Sequence, residues 1–557
     1  MLTSVHKRVT DYKRAEREAR IDALTDFHKP LVGSEIGIIT TPVETLVRKI
    51  RQHELEPETI LMALGKQALK VQKTCNPLTE VLIKEAREIW IPKSKALKSD
   101  FLPLAGMPVS VKDTFGIKGF DATSGYVKYC DDPFIEDSPI VKIIRDAGGY
   151  PYVKTNIPFT LLSFESYNDI WGRTKNPHKL DYTSGGSTGG ESALLAGGGS
   201  LIGVGTDVAG SVRVPAHFSG IYSLKPTTLR FPKTGSHTST PGQEGIPSVA
   251  GPMARSLADL TYFFRSVIQM KPWNYDCTLV EREYLEPDLP DTLTFGVIKT
   301  DGIVNPSPAC ARGLDLSVDA LLKAGHKVVE FKVPEPLEAL TVGAQLLCSD
   351  GIETAKEGMC WGETNDYGVE RAYKWAHLPR FIRWIWSFIV EYWYGDKVWA
   401  TLLRDFHKKT INERWRLVTR RESYRALFFE QFKKSGVDFL LTVPNATPAL
   451  PHRGLYNSFS SVLYTFLFNI VDYPAGVLPV TKVDKKKDQL PLDFNFKKLN
   501  GVAKGAYMNY DANNMNGLPV GVQIVGRRYR DEDVLAAMQV LETALHKNGV
   551  VYKQLEV

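Results

Sequence analysis

The sequence lacks the marks of several large protein classes. Its six cysteines, Cys75, Cys130, Cys277, Cys310, Cys348 and Cys360, lie far apart with no C-x-x-C pair. That speaks against a zinc site and for buried thiols in a reducing, cytoplasmic setting. None of its eleven histidines belongs to an H-E-x-x-H pattern, so no metal is expected. A formal charge of +6 over 557 residues, spread along the chain, gives little support to nucleic-acid binding. The first 27 residues are charged and carry no apolar core of a signal peptide or membrane anchor, and Glu16, Glu18, Asp22 and Asp26 argue against a mitochondrial leader. The remainder has ordinary globular composition, 43% hydrophobic and 24% charged. The length allows several domains, yet large α/β enzymes often keep one sheet over such a span.

What stands out is residues 183–215, TSGGSTGGESALLAGGGSLIGVGTDVAGSVRVP, with Ser187 and Ser211 each set among glycines. Glycine tolerates positive φ and lets backbone N–H groups close in on a ligand, so such loops form nests for negative charge. Residues 191–196 read as a short helix whose N-terminal dipole end faces the first serine. A serine at the mouth of a nest suggests acyl transfer. Two assignments compete. Gly185 to Gly189 matches the G-x-S-x-G elbow, which would make Ser187 the nucleophile, but an elbow follows a buried strand and residues 176–182 are polar and contain Pro177. The other assignment recruits Lys112. Residues 104–116 alternate as a strand does, with Val109 and Val111 on one side and Ser110 and Lys112 on the other. Taken alone, Lys112 reads as a strand-end lysine paired with Asp113; buried, it would lose its charge easily and serve as a base.

The segments GMPVSVKD, GGSTGGESALLA, GVGTDVAGSVRVPA, GIYSLKPT and LPVGVQIVG occur in that order, and together they resemble the amidase signature family from about residue 76 to the end. Thr188, Ser192 and Ala209 depart from the commonest pattern, but all three are small. The resemblance implies one α/β/α domain around a large mixed β-sheet covered by helices, needing no cofactor. It implies amide hydrolysis in which Ser211 attacks, Ser187 follows a cis peptide and relays a proton, and neutral Lys112 is the base. The N–H groups of Val208, Ala209, Gly210 and Ser211 would hold the oxyanion. Asp207 and Arg213 would pair to hold the loop, with solvated charges as the alternative. Leu161 and Leu162 fall where relatives line an acyl pocket, or are ordinary core leucines.

Elsewhere the pattern predicts N-terminal helices to about residue 90, including one capped by Thr41 with Pro42 in its first turn. A helix, glycine turn and strand follow over 138–155. Residues 231–251 read as a loop, 254–268 as a helix and 270–291 as a linker. A strand is expected at 293–297, a helix at 309–323, a helix at 422–435, a strand at 438–443, a charged surface loop at 482–504, a core strand at 517–526 and a closing helix at 531–546. The domain expectation is an N-terminal helical region, 1–100, packed on a catalytic domain, 101–557, with a helical cap inserted at about 335–435. Residues 377–404, HLPRFIRWIWSFIVEYWYGDKVWATLLR, far exceed the chain's 10% aromatic content, and Arg383 and Glu391 leave the run too short to span a bilayer. Aromatic rings among cations suit a membrane interface or an apolar portal. Packing on the body or on a second copy in a homodimer is the alternative. The partner expected is a small-molecule or lipid amide, hydrolysed by a free amidase, by a fatty-acid amide hydrolase at a membrane surface, or by a subunit that passes ammonia to a partner enzyme. A non-catalytic binding protein on the same scaffold is the remaining reading.

Overall fold

The computed structural model of the chain describes residues 5–99 and 101–557. Residues 1–4 and 100, within the expected N-terminal helical region, lie outside the described residues. Eleven strands form one mixed sheet: β1 Leu78–Val81, β2 Pro108–Lys112, β3 Tyr150–Thr155, β4 Ile202–Asp207, β5 Tyr222–Lys225, β6 Val249–Ala254, β7 Thr294–Val297, β8 Lys327–Glu330, β9 Phe439–Thr442, β10 Ala475–Lys482 and β11 Pro519–Val525. Their order is β1-β3-β2-β4-β6-β5-β10-β11-β9-β7-β8. β2 runs parallel to both β3 and β4, with Ser110 opposite Gly203 and Val111 opposite Val204. The centre from β4 to β9 is antiparallel.

Helices flank the sheet, as an amphipathic layer must to bury both of its faces. In chain order they include α1 Val5–Asp22, α2 Pro57–Cys75, α3 Pro139–Asp146, α4 Gly189–Ala196, α5 Arg213–Ser219, α6 Leu257–Gln269 and α7 Pro308–Lys323. Then come α8 Pro336–Leu347, α9 Tyr367–Ala376, α10 Arg380–Tyr392, α11 Lys397–Asp405, α12 Ile411–Ser435, α13 Leu463–Ile470 and α14 Asp531–Lys547. α5 lies against β5, β10 and β11, and α6 against β6. α3 shows why these segments fold as they do: Pro139 opens it, Ile140, Val141, Ile143 and Ile144 make its buried face, and Gly148 at φ +88° turns the chain into β3.

Several expectations need correction. The N-terminal helices do not continue unbroken to residue 90, because β1 interrupts them and pairs antiparallel with β3, supplying a neighbour that local pattern does not reveal. Helix Val43–Arg51 starts after Pro42 as its cap, one residue later than expected. Residues 249–251 are strand: β6 carries Pro252 yet sits between β4 and β5, so its neighbours override its composition. A strand, Lys179–Thr183, does precede Ser187, but it pairs with Lys175–Asn176 and bridges to Pro451 outside the main sheet and is half exposed, unlike the buried strand of an elbow. The 482–504 stretch ends in a short helix, Gly501–Tyr507. All six cysteines are free, though Cys277 is exposed and Cys130 and Cys360 are half-buried. Among the described residues no helix is long and apolar enough to cross a membrane.

Candidate active site

The parallel pairing of β2 with β4 brings their carboxyl ends side by side, the edge where ligands lie in open α/β sheets. Lys112 ends β2 and is fully buried. Its Nζ lies within hydrogen-bond reach of three hydroxyls, 2.7 Å from Ser187 Oγ, 2.8 Å from Thr206 Oγ1 and 3.0 Å from Thr188 Oγ1. Burial pushes the amine down to about 7, against the opposing pull of the Asp207 charge. A neutral amine has two N–H donors and one lone pair, so one of the three hydroxyls must donate. Thr188 already gives its proton to Thr206 O at 3.3 Å, which leaves Ser187 or Thr206 to face the lone pair. Asp113 is not the lysine's partner: it pairs with Lys154 at 3.3 Å and accepts from Thr79 and Thr123.

Ser187 sits just before α4, whose N-cap is Thr188. The Gly186–Ser187 peptide is cis, and a Cβ on Gly186 would fall 2.4 Å from Ser163 O, so only glycine fits this approach. The Thr188 N–H donates to Ser211 O at 3.2 Å, tying the two serine loops together. Ser187 and Ser211 are both buried, and no hydrogen bond joins their hydroxyls among the described residues. Behind the lysine, the buried Glu191 carboxyl accepts from Ser110 of β2 and, at 2.8 Å, from Thr155 of β3. Burial raises it to about 7.

The loop carrying Ser211 is wrapped around one carboxylate. Asp207 accepts from the N–H groups of Gly210 (2.9 Å) and Val212 (3.1 Å), from Arg213 Nε and Nη2 (3.1 and 3.0 Å) and from Asn469 (2.9 Å). Burial alone would raise this acid, but Arg213 and these donors hold it down at about 2. Arg213 also reaches Thr465 O, Asn469 and Gln523; with both partners fully buried, the solvated alternative for this pair fails. The same contacts correct the expected oxyanion set. Gly210, at φ +124°, spends its N–H on Asp207, whereas the N–H groups of Val208, Ala209 and Ser211 have no acceptor among the described residues.

Ser211, Val208, Ala209, Leu161 and Leu162 line one side of a cavity of about 380 Å³. Leu161 takes φ +59° in that loop, and Leu162 also packs on Cys348 and Val369, so it serves both readings given for it. The opposite wall comes from α8, α9, α10 and α11, through residues such as Leu340, Trp375, Trp386 and Trp399. α10 is largely inverted relative to a globular helix: Arg383 and Ser387 point inward with Val390, while Phe381, Trp384, Phe388 and Tyr392 are 50–70% exposed. Thr206, Asn469, Gln523 and Glu191 were missed in the sequence. In the sequence Thr188 stands out only as a departure from the family pattern, although its hydroxyl, 3.0 Å from Lys112 Nζ, makes it part of the site.

The family model described as Amidase matches residues 59–535. An amidase of Gibberella moniliformis is 30% identical over 90% of this chain and 87% of its own. An acetamidase of Aspergillus oryzae is 30% identical over 94% and 93%. Fatty-acid amide hydrolase 1 of Sus scrofa is 31% identical over 93% and 87%. Among solved structures, a fatty acid amide hydrolase superposes with a TM-score of 0.80 at 28% identity, covering 98% of this chain and 91% of that one.

Proposed function

Because the chain belongs to the amidase family and is a hydrolase of amide C–N bonds, we propose that it cleaves a lipophilic carboxylic acid amide through an acyl-enzyme on Ser211. The observation that carries this reading is the fully buried Lys112 amine, 2.7 Å from Ser187 Oγ. Ser211 Oγ adds to the amide carbonyl; its proton passes to Ser187 Oγ as the Ser187 proton passes to the lone pair of Lys112. The Ser187 to Ser211 link closes as the acyl group seats, since catalytic hydrogen bonds commonly tighten only in the loaded site. The N–H groups of Val208, Ala209 and Ser211 hold the oxyanion, each worth about 3 kcal/mol in comparable sites. Collapse breaks the C–N bond, and the proton returns through Ser187 to the leaving nitrogen. Water then adds to the acyl carbon by the same relay, restoring Ser211 and releasing the acid. Thr188 and Thr206 keep the amine aimed, and Asp207 with Arg213 sets the loop.

We assign 335–435 as a cap over the cavity and the outward face of α10 as a peripheral contact with a lipid surface. The apolar lining drawn from this cap supports a long acyl chain. Hydrolysis of primary amides with acyl chains of two to eighteen carbons tests the reading: kcat/KM should climb with length by about tenfold for every two buried methylenes, at ~0.8 kcal/mol each. A maximum at two carbons would refute it.

A further inference from the structure

Among the described residues, Arg371 is the one charged residue lining the cavity, with no Asp, Glu, Lys or His beside it. It projects from the cavity face of α9 with Gly368, Ala372 and Trp375, the spacing of one helical stripe. Its guanidinium lies 5.9 Å from the Trp399 ring and 5.3 Å from the Tyr456 ring, and both rings also line the cavity. Arg371 has no ion pair or hydrogen bond among the described residues. The acids nearest in sequence are committed elsewhere: Glu370 to Lys356 at 2.8 Å, and Asp366 to the N–H groups of Gly368 and Val369. Tyr456, Asn457 and Ser460 line the same cavity, and their side-chain hydroxyls and amide also lack a hydrogen bond among the described residues. Four polar residues away from Ser211, one of them a cation braced by two rings, thus line a mostly apolar cavity with side-chain donors unspent among the described residues.

We infer that this wall receives an anionic group on the amine side of the substrate, so that the amides cleaved include N-acyl amino acids or similar conjugates. The inference rests on the amidase reading above. A guanidinium offers paired N–H donors that match a carboxylate, and its aromatic braces reduce the freedom lost on binding. Arg371 is exposed to solvent, so the interaction weakens with salt.

The test compares N-dodecanoylglycine, N-dodecanoylethanolamine and the monoamide of dodecanedioic acid in the wild type, Arg371→Met and Arg371→Lys. Arg371→Met should raise KM for N-dodecanoylglycine by about tenfold or more, an interaction of ~1.4 kcal/mol. It should leave kcat for that substrate, and KM for the ethanolamide, within about twofold, and Arg371→Lys should recover part of the loss. An equal change for the glycine and ethanolamine conjugates overturns the inference, as does a change confined to the diacid monoamide, which would place the anion on the acyl side. Calorimetry on Ser211→Ala with N-dodecanoylglycine and its methyl ester separates recognition from catalysis. If the acid binds more tightly only while Arg371 is present, yet the wild type cleaves none of the amides, the anion site stands and the amidase reading falls. If the ethanolamide is cleaved but neither assay depends on Arg371, the anion site alone falls.

Discussion

The floor and the lid of the cavity break the usual rule of burial in opposite directions. Around 183–215 the chain buries Lys112, Asp207, Arg213 and Glu191, all of them polar or charged, in the middle of the molecule. On α10 it does the reverse, turning Phe381, Trp384 and Phe388 outward and Arg383 inward. On the floor, desolvation is offset contact by contact: Asp207 has five donors and Lys112 has three hydroxyls. What survives of the penalty is the raised acid of Glu191 and the depressed amine of Lys112, the latter the property a base near neutral pH needs. The aromatic face of the lid has no such compensation among the described residues. A contiguous exposed apolar face marks an interaction surface, and the inward Arg383, bonded to Ala376 O and Phe406 O, locks the helix in that orientation.

The sharpest way to break this contrast is at the floor. Lys112→Met should lower kcat by about 10³-fold or more, as removal of one member of a catalytic unit does elsewhere, and should slow fluorophosphonate labelling of Ser211 in parallel. Activity within tenfold of wild type would reduce Lys112 to a packing residue. Next is pH. The folded-state value of Lys112, about 7, lies far below its ordinary 10.5; the amine is neutral above about 7 and takes up a proton below it. kcat/KM should therefore fall by about tenfold per unit as pH drops below 7. A profile flat to pH 5 would mean that the titrating base is not this amine. The smallest effect belongs to the lid. Trp384→Ser with Phe388→Ser should weaken partition into phosphatidylcholine vesicles by about tenfold or more, from the apolar area withdrawn, while cleavage of a water-soluble short amide stays within about twofold. Unchanged partition would send the outward face of α10 to a protein partner instead.

Much of this contrast was legible before any fold was known. Glycine spacing and motif order singled out Lys112, Ser187, Ser211, Asp207 and Arg213, and the run of rings at 377–404 was plain from composition. The rest was hidden for identifiable reasons. Thr206 shares the lysine only because β4 lies parallel to β2 in one particular register. Gly210 looked like any other donor of its loop until the Asp207 carboxylate was seen to occupy its N–H. β6 was hidden by Pro252, and β1 by the helices on either side of it. Composition marked the aromatic run that holds α10 but could not say which of its residues look inward, because that depends on what packs beneath it.

By itself, then, the sequence determined the local chemistry: where glycines permit close approach, where hydroxyls and a lysine are carried, and which segments alternate or coil. Tertiary structure alone decided which of those groups meet, which donors remain free and which surface of the lid is wet. The reason is physical. Burial, hydrogen-bond partners and the resulting proton affinities belong to neighbours that are distant in the chain, as Lys112 is from Ser187 and Thr206, and only their packing brings them within reach.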